Sequence, residues 1–283
     1  MDVLDAFSFL GKWWIWLIPV AYFLATPLLI WLTFRLEAHP NIEKADETVP
    51  LPTDVQSYFY DSHESMHAID YMNQGTYLLP SPTPNVTAML ALFVNHQKLC
   101  AAVACVFYAN VNGKWSLQAK YIEFATYFQD ESSISTGNQN RNGSFPVRQE
   151  NLQTIFPDLD DVATLEQAHL LMVSQHGRGR RPVMCIAEGA DVDASDALRE
   201  DIEREYENAR QMGYLSYHGA KPGLTPEINP YQPLSHQGGE YYSATFKGAY
   251  LMTWRELWPI KPVLYRMRVS SDRRMLQEAG WRG

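Results

Sequence analysis

The longest apolar pattern in the chain is an uncharged run over residues 13–34, bounded by Lys12 and Arg35. A bilayer core about 30 Å thick is crossed by roughly 20 apolar residues in a helix, and this run has that length. Tryptophan rings favour the membrane–water interface, and four of them lie near the ends of the run: Trp13, Trp14, Trp16 and Trp31. The pattern predicts a membrane anchor in residues 1–35, with its span at about 13–34.

The alternative to an anchor is a cleavable signal peptide, which needs a positive start, a short apolar core and a small-residue cleavage site. Here the start carries Asp2 and Asp5 against one lysine, the run is too long, and no Ala-x-Ala pattern follows. The anchor is therefore the favoured interpretation. Arg35 and Lys44 follow the run and only Lys12 precedes it, which slightly favours a cytoplasmic body by the positive-inside rule.

The middle of the chain has long apolar runs with short polar breaks, which predicts an antiparallel β-meander. The runs at 86–94 and 99–111 are apolar on both faces, so we expect helices to cover the sheet. The first run is also compatible with a buried helix, but its hairpin context favours a strand. Asn112-Gly113 supplies a favoured two-residue turn, and residues 114–128 then alternate between polar and apolar.

Apolar positions at helical spacing predict three helices around this meander: one from Asp54 towards Gly75, Asp161–His176, and Asp196–Met212. Polar stretches predict a juxtamembrane linker at 36–53 and a long exposed loop at 129–150. A short strand at 182–187 and a hairpin of 214–217 with 241–246 complete the pattern. The fold class that follows is α+β, with a domain over residues 54–246.

The final segment, residues 247–283, combines apolar and aromatic surface with positive charge. Its predicted membrane contacts are Trp254, Arg255, Trp258, Lys261, Arg266 and Arg268. An amphipathic helix at a membrane interface has this mixture of residues. A core helix followed by a solvated basic tail accounts for the same pattern equally well.

Charge is distributed unevenly along the chain. The net charge is −9, yet the segment from Lys247 onward carries +5 and the preceding part −14. Because broad nucleic-acid binding depends on neutralising phosphates, the acidic body argues against it. A basic end beside an anchor predicts contact with anionic lipid headgroups. Cys100 and Cys105, on opposite faces of one predicted strand, indicate free thiols in a reducing compartment.

One pattern suggests enzymatic chemistry, the H-E-x-x-H formed by His63, Glu64 and His67. On a helix two such histidines can share a zinc ion while the glutamate activates a bound water, which would make the protein a membrane-anchored zinc metallopeptidase. The extended form of the motif fails, because Asp70 replaces its glycine and Asn73 its third histidine. Possible third ligands lie about a hundred residues away: Glu166, His169 and His176. A half-exposed amphipathic helix without metal is the favoured interpretation.

The stretches Phe246–Trp258 and Asn229-Pro-Tyr-Gln-Pro233 resemble membrane-anchored bacterial proteins of unknown function. That resemblance implies a membrane location and carries over no catalytic or binding residue. We therefore predict a single-pass membrane protein with a non-enzymatic α+β interaction or scaffold domain. It would have no cofactor and no nucleic-acid partner, and its contacts would be the bilayer and an unidentified protein partner. The alternative is the zinc metallopeptidase with His63 and His67 as ligands and Glu64 as base.

Overall fold

The computed structural model describes residues 22–45, 51–79, 86–111, 114–139, 145–184, 186, 193–220, 239–257 and 260–282. Several sequence predictions lie outside these residues: residues 13–21 of the apolar run with Trp13 and Trp14, the Asn112-Gly113 turn, the 229–233 run and Trp258. Among the residues described, no helix is long and apolar enough to cross a bilayer. The chain forms two units, a larger one of His39–Glu205 with Val263–Gly283 and a smaller one of Met1–Ala38 with Tyr206–Pro262.

The larger unit is built on a mostly antiparallel sheet. Its strands are β2 (Glu43–Lys44), β3 (Met72–Leu79), β4 (Val86–Asn95), β5 (Cys100–Val111), β6 (Lys114–Phe128), β7 (Ser133–Gly137), β8 (Leu152–Ile155) and β9 (Pro182–Val183). β2 to β8 pair in chain order, β9 pairs with the end of β6, and β7 with β8 is the one parallel pair among the described strands. The predicted meander is confirmed as β4, β5 and β6, because long runs that are apolar on both faces suit central strands.

Six helices are described across the two units. They are α1 (described over residues 22–33), α2 (Thr53–His67), α3 (Val162–His176), α4 (Ser195–Gln211), α5 (Phe246–Glu256) and α6 (Ile260–Glu278). The prediction of a helix beginning at Asp161 is confirmed within one residue, since the Asp161 carboxylate caps α3 by accepting the Thr164 N–H at 2.8 Å.

The prediction that the first of these helices continues towards Gly75 is wrong. α2 ends at His67, and Asp70 has a left-handed backbone with φ 67°. The Tyr71 N–H then donates to the Met66 carbonyl at 3.0 Å, which closes the helix end. The following residues form strand β3, in which Gly75 has φ 127° beside an irregularity in the pairing with β4.

Two segments predicted as irregular contain strands. The proposed loop at 129–150 contains β7, where Ile134 is buried and the buried Thr136 hydroxyl bonds that of Thr154 on β8 at 3.0 Å. The serines and threonines of β7 hid its alternation from a hydrophobic pattern. The proposed linker at 36–53 contains β2, which pairs with β3, and part of β1 (Arg35–Glu37).

Helices pack on both faces of the large sheet. On one face α2 and α3 enclose a core that includes Phe93, Phe124, Ile134 and Leu165. On the other face Tyr77, Leu92 and Cys105 form a second core against which the first turns of α4 pack. This arrangement agrees with strands that are apolar on both faces, and burial of both faces supplies most of the stabilisation of such a sheet.

Helix α6 covers the edge of the same sheet at β8. The Asp272 carboxylate accepts the Ile155 N–H at 2.8 Å, and the Arg268 guanidinium donates to the Gln153 carbonyl at 2.6 Å. Arg268 and Asp272, one helical turn apart, lie 3.6 Å from each other. Side chains of α6 therefore bond backbone groups of β8, which protects an otherwise unpaired strand edge.

The smaller unit contains a three-stranded antiparallel sheet with α1 and α5. β11 (Tyr241–Ala244) lies between β1 and β10 (Leu215–His218), so the predicted hairpin at 214–217 and 241–246 is confirmed. The Phe23 ring of α1 lies 5.4 Å from the Trp254 ring of α5. This aromatic contact joins the two helices of the unit.

Candidate functional site

The two histidines of the H-E-x-x-H pattern lie on the exposed side of α2. The His63 and His67 rings are 6.5 Å apart and nearly parallel, and the His63 ring lies 6.3 Å from that of Phe93. The Glu64 carboxylate accepts the Tyr60 hydroxyl at 2.8 Å. Within the described residues, no three histidine, cysteine or carboxylate side chains come together as a metal-binding group. The zinc site therefore stays a prediction, in which His63 and His67 would be the only protein ligands among the described residues.

Two of the distant residues considered as third ligands, Glu166 and His169, are buried around α3, whereas His176 is half-buried at the end of that helix. Glu166 is buried and accepts the Lys98 ammonium at 2.7 Å. His169 is fully buried, with one ring nitrogen 2.9 Å from the Thr126 hydroxyl and the other 3.1 Å from the Thr136 hydroxyl. Burial lowers the pKa of His169 to about 3, so its ring stays neutral. Both side chains thus take part in holding α3 on the sheet.

An acidic cluster that the sequence did not reveal lies where α4 meets β6. The Tyr127 hydroxyl of β6 donates to the Asp201 carboxylate of α4 at 3.1 Å. Packing of α4 on β6, which partly removes water from the carboxyl, together with repulsion from Asp201 and Glu123, raises the pKa of Glu205, although its side chain remains exposed. Partial burial also raises the pKa of Asp201, whose side chain is 42 % exposed, and that of Glu123. These three carboxyl groups come together only because α4 packs on β6.

The described part of α1 has an apolar surface that its unit leaves uncovered. Its large exposed side chains are Tyr22, Leu24, Leu28, Leu29, Trp31 and Leu32, with exposed fractions between 43 % and 68 %. Phe23 instead packs on α5. Just after the helix, the Arg35 guanidinium donates to the Phe34 carbonyl at 2.7 Å and lies 5.6 Å from the centre of the Tyr241 ring. An exposed apolar surface of this extent marks a contact surface.

The predicted membrane contacts of the C-terminal segment occupy different environments. Trp254 is half-buried, with its ring 5.9 Å from that of Tyr250. Arg255 is half-buried, and Lys261 forms an ion pair with Glu256. Arg266 is exposed. Arg268 donates a hydrogen bond to the backbone of β8, so its guanidinium stabilises the packing of α6 on the sheet.

We compared the chain with models of known protein families, with curated proteins and with solved structures, and none of them matches it.

Proposed function

We propose that this protein is a single-pass membrane protein whose α+β larger unit is a non-enzymatic binding domain held beside the bilayer on its cytoplasmic side. The observation that carries the proposal is the uncovered apolar surface of α1, which continues the uncharged run that begins at Trp13. This surface lies within residues 13–34, the segment whose length and tryptophans fit a bilayer.

The exposure of α1 is unfavourable in water. Each Å² of apolar surface left in contact with water costs about 25 cal/mol, and five leucine or tryptophan side chains of α1 are more than two-fifths exposed. Contiguous apolar surface of this kind marks a contact with a membrane or a partner. The bilayer is the better explanation, because the run is uncharged along its whole length and Arg35 follows at its end.

Support for a binding role comes from how the larger unit uses its reactive side chains. Glu166 pairs with Lys98, and His169 bonds two threonines of the sheet, so these groups hold the fold together. Burial raises the pKa of the Cys100 and Cys105 thiols, which disfavours the nucleophilic thiolate. These buried groups are therefore used for folding, which favours a binding role for the larger unit over a catalytic one.

Carbonate extraction of membranes from cells that express the full chain tests the anchor. We expect the wild-type protein to stay in the membrane pellet. Leu24→Arg/Leu28→Arg places two charges on one exposed side of α1. Each charge costs about 2.5–3.5 kcal/mol near the middle of a span, so this variant should move to the supernatant. Gln56→Arg/Ser57→Arg, on the exposed side of α2, is the matched control and should stay in the pellet.

Extraction of the wild-type protein by carbonate would refute the anchor. If the α1 and α2 variants behaved alike, the α1 surface would not be the part that inserts.

A further inference from the structure

The outward side of α6 carries a basic groove. The groove is open to solvent, has a volume of about 520 Å³ and is lined by Tyr265, Arg266, Val269, Ser270, Arg273, Arg274 and Gln277. Positions 266, 270, 273 or 274, and 277 follow helical spacing, so their side chains lie along one side of the helix. These lining residues all belong to α6, so the helix itself sets their relative positions.

The positive charge of this groove is only partly neutralised. Arg273 forms an ion pair with Asp158 at 2.6 Å. Arg266 and Arg274 are exposed, and neither forms an ion pair or side-chain hydrogen bond with another residue in the described ranges. Two guanidinium groups are thus available to a ligand on one side of α6.

The groove also contains a polar group without a partner. The Tyr265 hydroxyl oxygen is shielded from water and has no hydrogen-bond partner in the part of the chain that the structure describes. A shielded hydroxyl without a partner is unfavourable, and a rotation of the Tyr265 side chain that brings the hydroxyl to a ligand oxygen in the groove would supply the missing bond. Ser270 and Gln277 add further donors along the same side.

We propose that this groove binds a phosphate group. The planar guanidinium donates two parallel hydrogen bonds to phosphate oxygens, and two unpaired arginines offset the charge of a phosphate dianion. The groove is larger than a phosphate and open to solvent, which leaves room for the molecule that carries the phosphate. This inference rests on the proposed binding function, for which it names the ligand class.

Two sources of the phosphate share this chemistry, a phospholipid headgroup and a free phosphorylated molecule. The lipid source has additional support from exposed apolar side chains next to the groove. Val263 and Met267 are 53 % and 65 % exposed; Val263 lies one helical turn before Arg266, and Met267 lies one turn before the groove residue Ser270. Apolar side chains flanking cationic ones are typical of a helix that contacts an anionic bilayer.

The test uses the full chain in a neutral detergent, titrated calorimetrically with inorganic phosphate and separately with dihexanoyl phosphatidic acid. Arg266→Gln/Arg274→Gln should weaken binding of both probes at least tenfold. Arg204→Gln/Arg210→Gln removes the same charge from α4, where both arginines form exposed ion pairs, and should change either affinity less than twofold.

Met267→Ser distinguishes the two sources. If it weakens binding of phosphatidic acid but not of phosphate, and phosphatidic acid binds more tightly than phosphate, the ligand is a lipid headgroup. If the two probes bind equally and Met267→Ser changes neither affinity, the groove serves a free phosphorylated molecule.

Equal affinities in the wild type and in the Arg266/Arg274 variant, or no binding by the wild type, would overturn the inference. Because carbonate extraction measures the anchor independently, a failure of the groove leaves the membrane location standing, and a failure of the anchor leaves the groove result interpretable.

Discussion

The buried imidazole of His169 makes the stability of the larger unit depend on pH. Burial lowers its pKa from 6.5 to about 3. The ring is therefore protonated near pH 6.5 in the unfolded chain but only near pH 3 in the folded protein. Stability from this residue is therefore complete above about pH 6.5 and is lost as the pH falls towards 3. Each pH unit in that window costs about 1.4 kcal/mol, which amounts to about 2 kcal/mol between pH 8 and pH 5.

His169→Gln isolates this effect, because an amide can still bond Thr126 and Thr136 but does not titrate. Urea unfolding of the full chain in neutral detergent, followed by tryptophan fluorescence at pH 8 and pH 5, gives the free energy of unfolding of each protein. We expect the stability advantage of the wild type over the variant to shrink by about 2 kcal/mol at pH 5. His63→Gln, on the exposed side of α2, is the control and should show no such change. An advantage of the same size at both pH values would refute the reasoning.

Three further predictions concern other groups of the larger unit. Since the pKa of Glu205 is raised, its contribution to stability is present at low pH and lost as the pH rises; because the side chain is exposed and screened by solvent, Glu205→Gln should flatten the pH dependence of the melting temperature only slightly. Phe124→Ala should cost about 3–5 kcal/mol of unfolding free energy in urea titrations, because this fully buried ring contacts those of Tyr71 and His169. Metal analysis of the purified full chain should find no stoichiometric zinc, with no difference in His63→Ala/His67→Ala; one zinc per chain that this variant loses would restore the peptidase interpretation.

Hydrophobic patterning predicted the central strands well. β4 and β5 are apolar on both faces, so each forms a continuous apolar run that is recognisable in the sequence without knowledge of what packs on it. It missed β3, whose start, Met72 to Gly75, contains two polar amides and a glycine. It also missed β7, where Thr136 takes a buried position through a hydrogen bond to Thr154. When polar side chains of a strand form hydrogen bonds inside the fold, the strand shows no alternation of apolar and polar residues, and a hydrophobic pattern does not predict it.

The polar clusters depend on contacts that no local pattern contains. His169 meets Thr126 and Thr136, which are 43 and 33 residues away, and Asp201 meets Tyr127 across 74 residues. These pairs form only after the sheet order has been established. The positive charge of the C-terminal helix was visible in the sequence, but its division between an inward and an outward side required the structure.

That division explains why one helix can serve both folding and binding. Arg268 and Asp272, one turn apart, face the edge of the sheet and bond β8. Arg266 and Arg274, two turns apart, lie on the groove side and bond no other described residue. Changes on the groove side should therefore leave the free energy of unfolding of the full chain within about 0.5 kcal/mol of the wild-type value. Asp272→Ala, which removes the partner of the Ile155 N–H, should lower that free energy by about 1–3 kcal/mol. If the groove variants destabilised the protein as much as Asp272→Ala does, the two sides would not be separable, and their loss of phosphate binding would reflect folding.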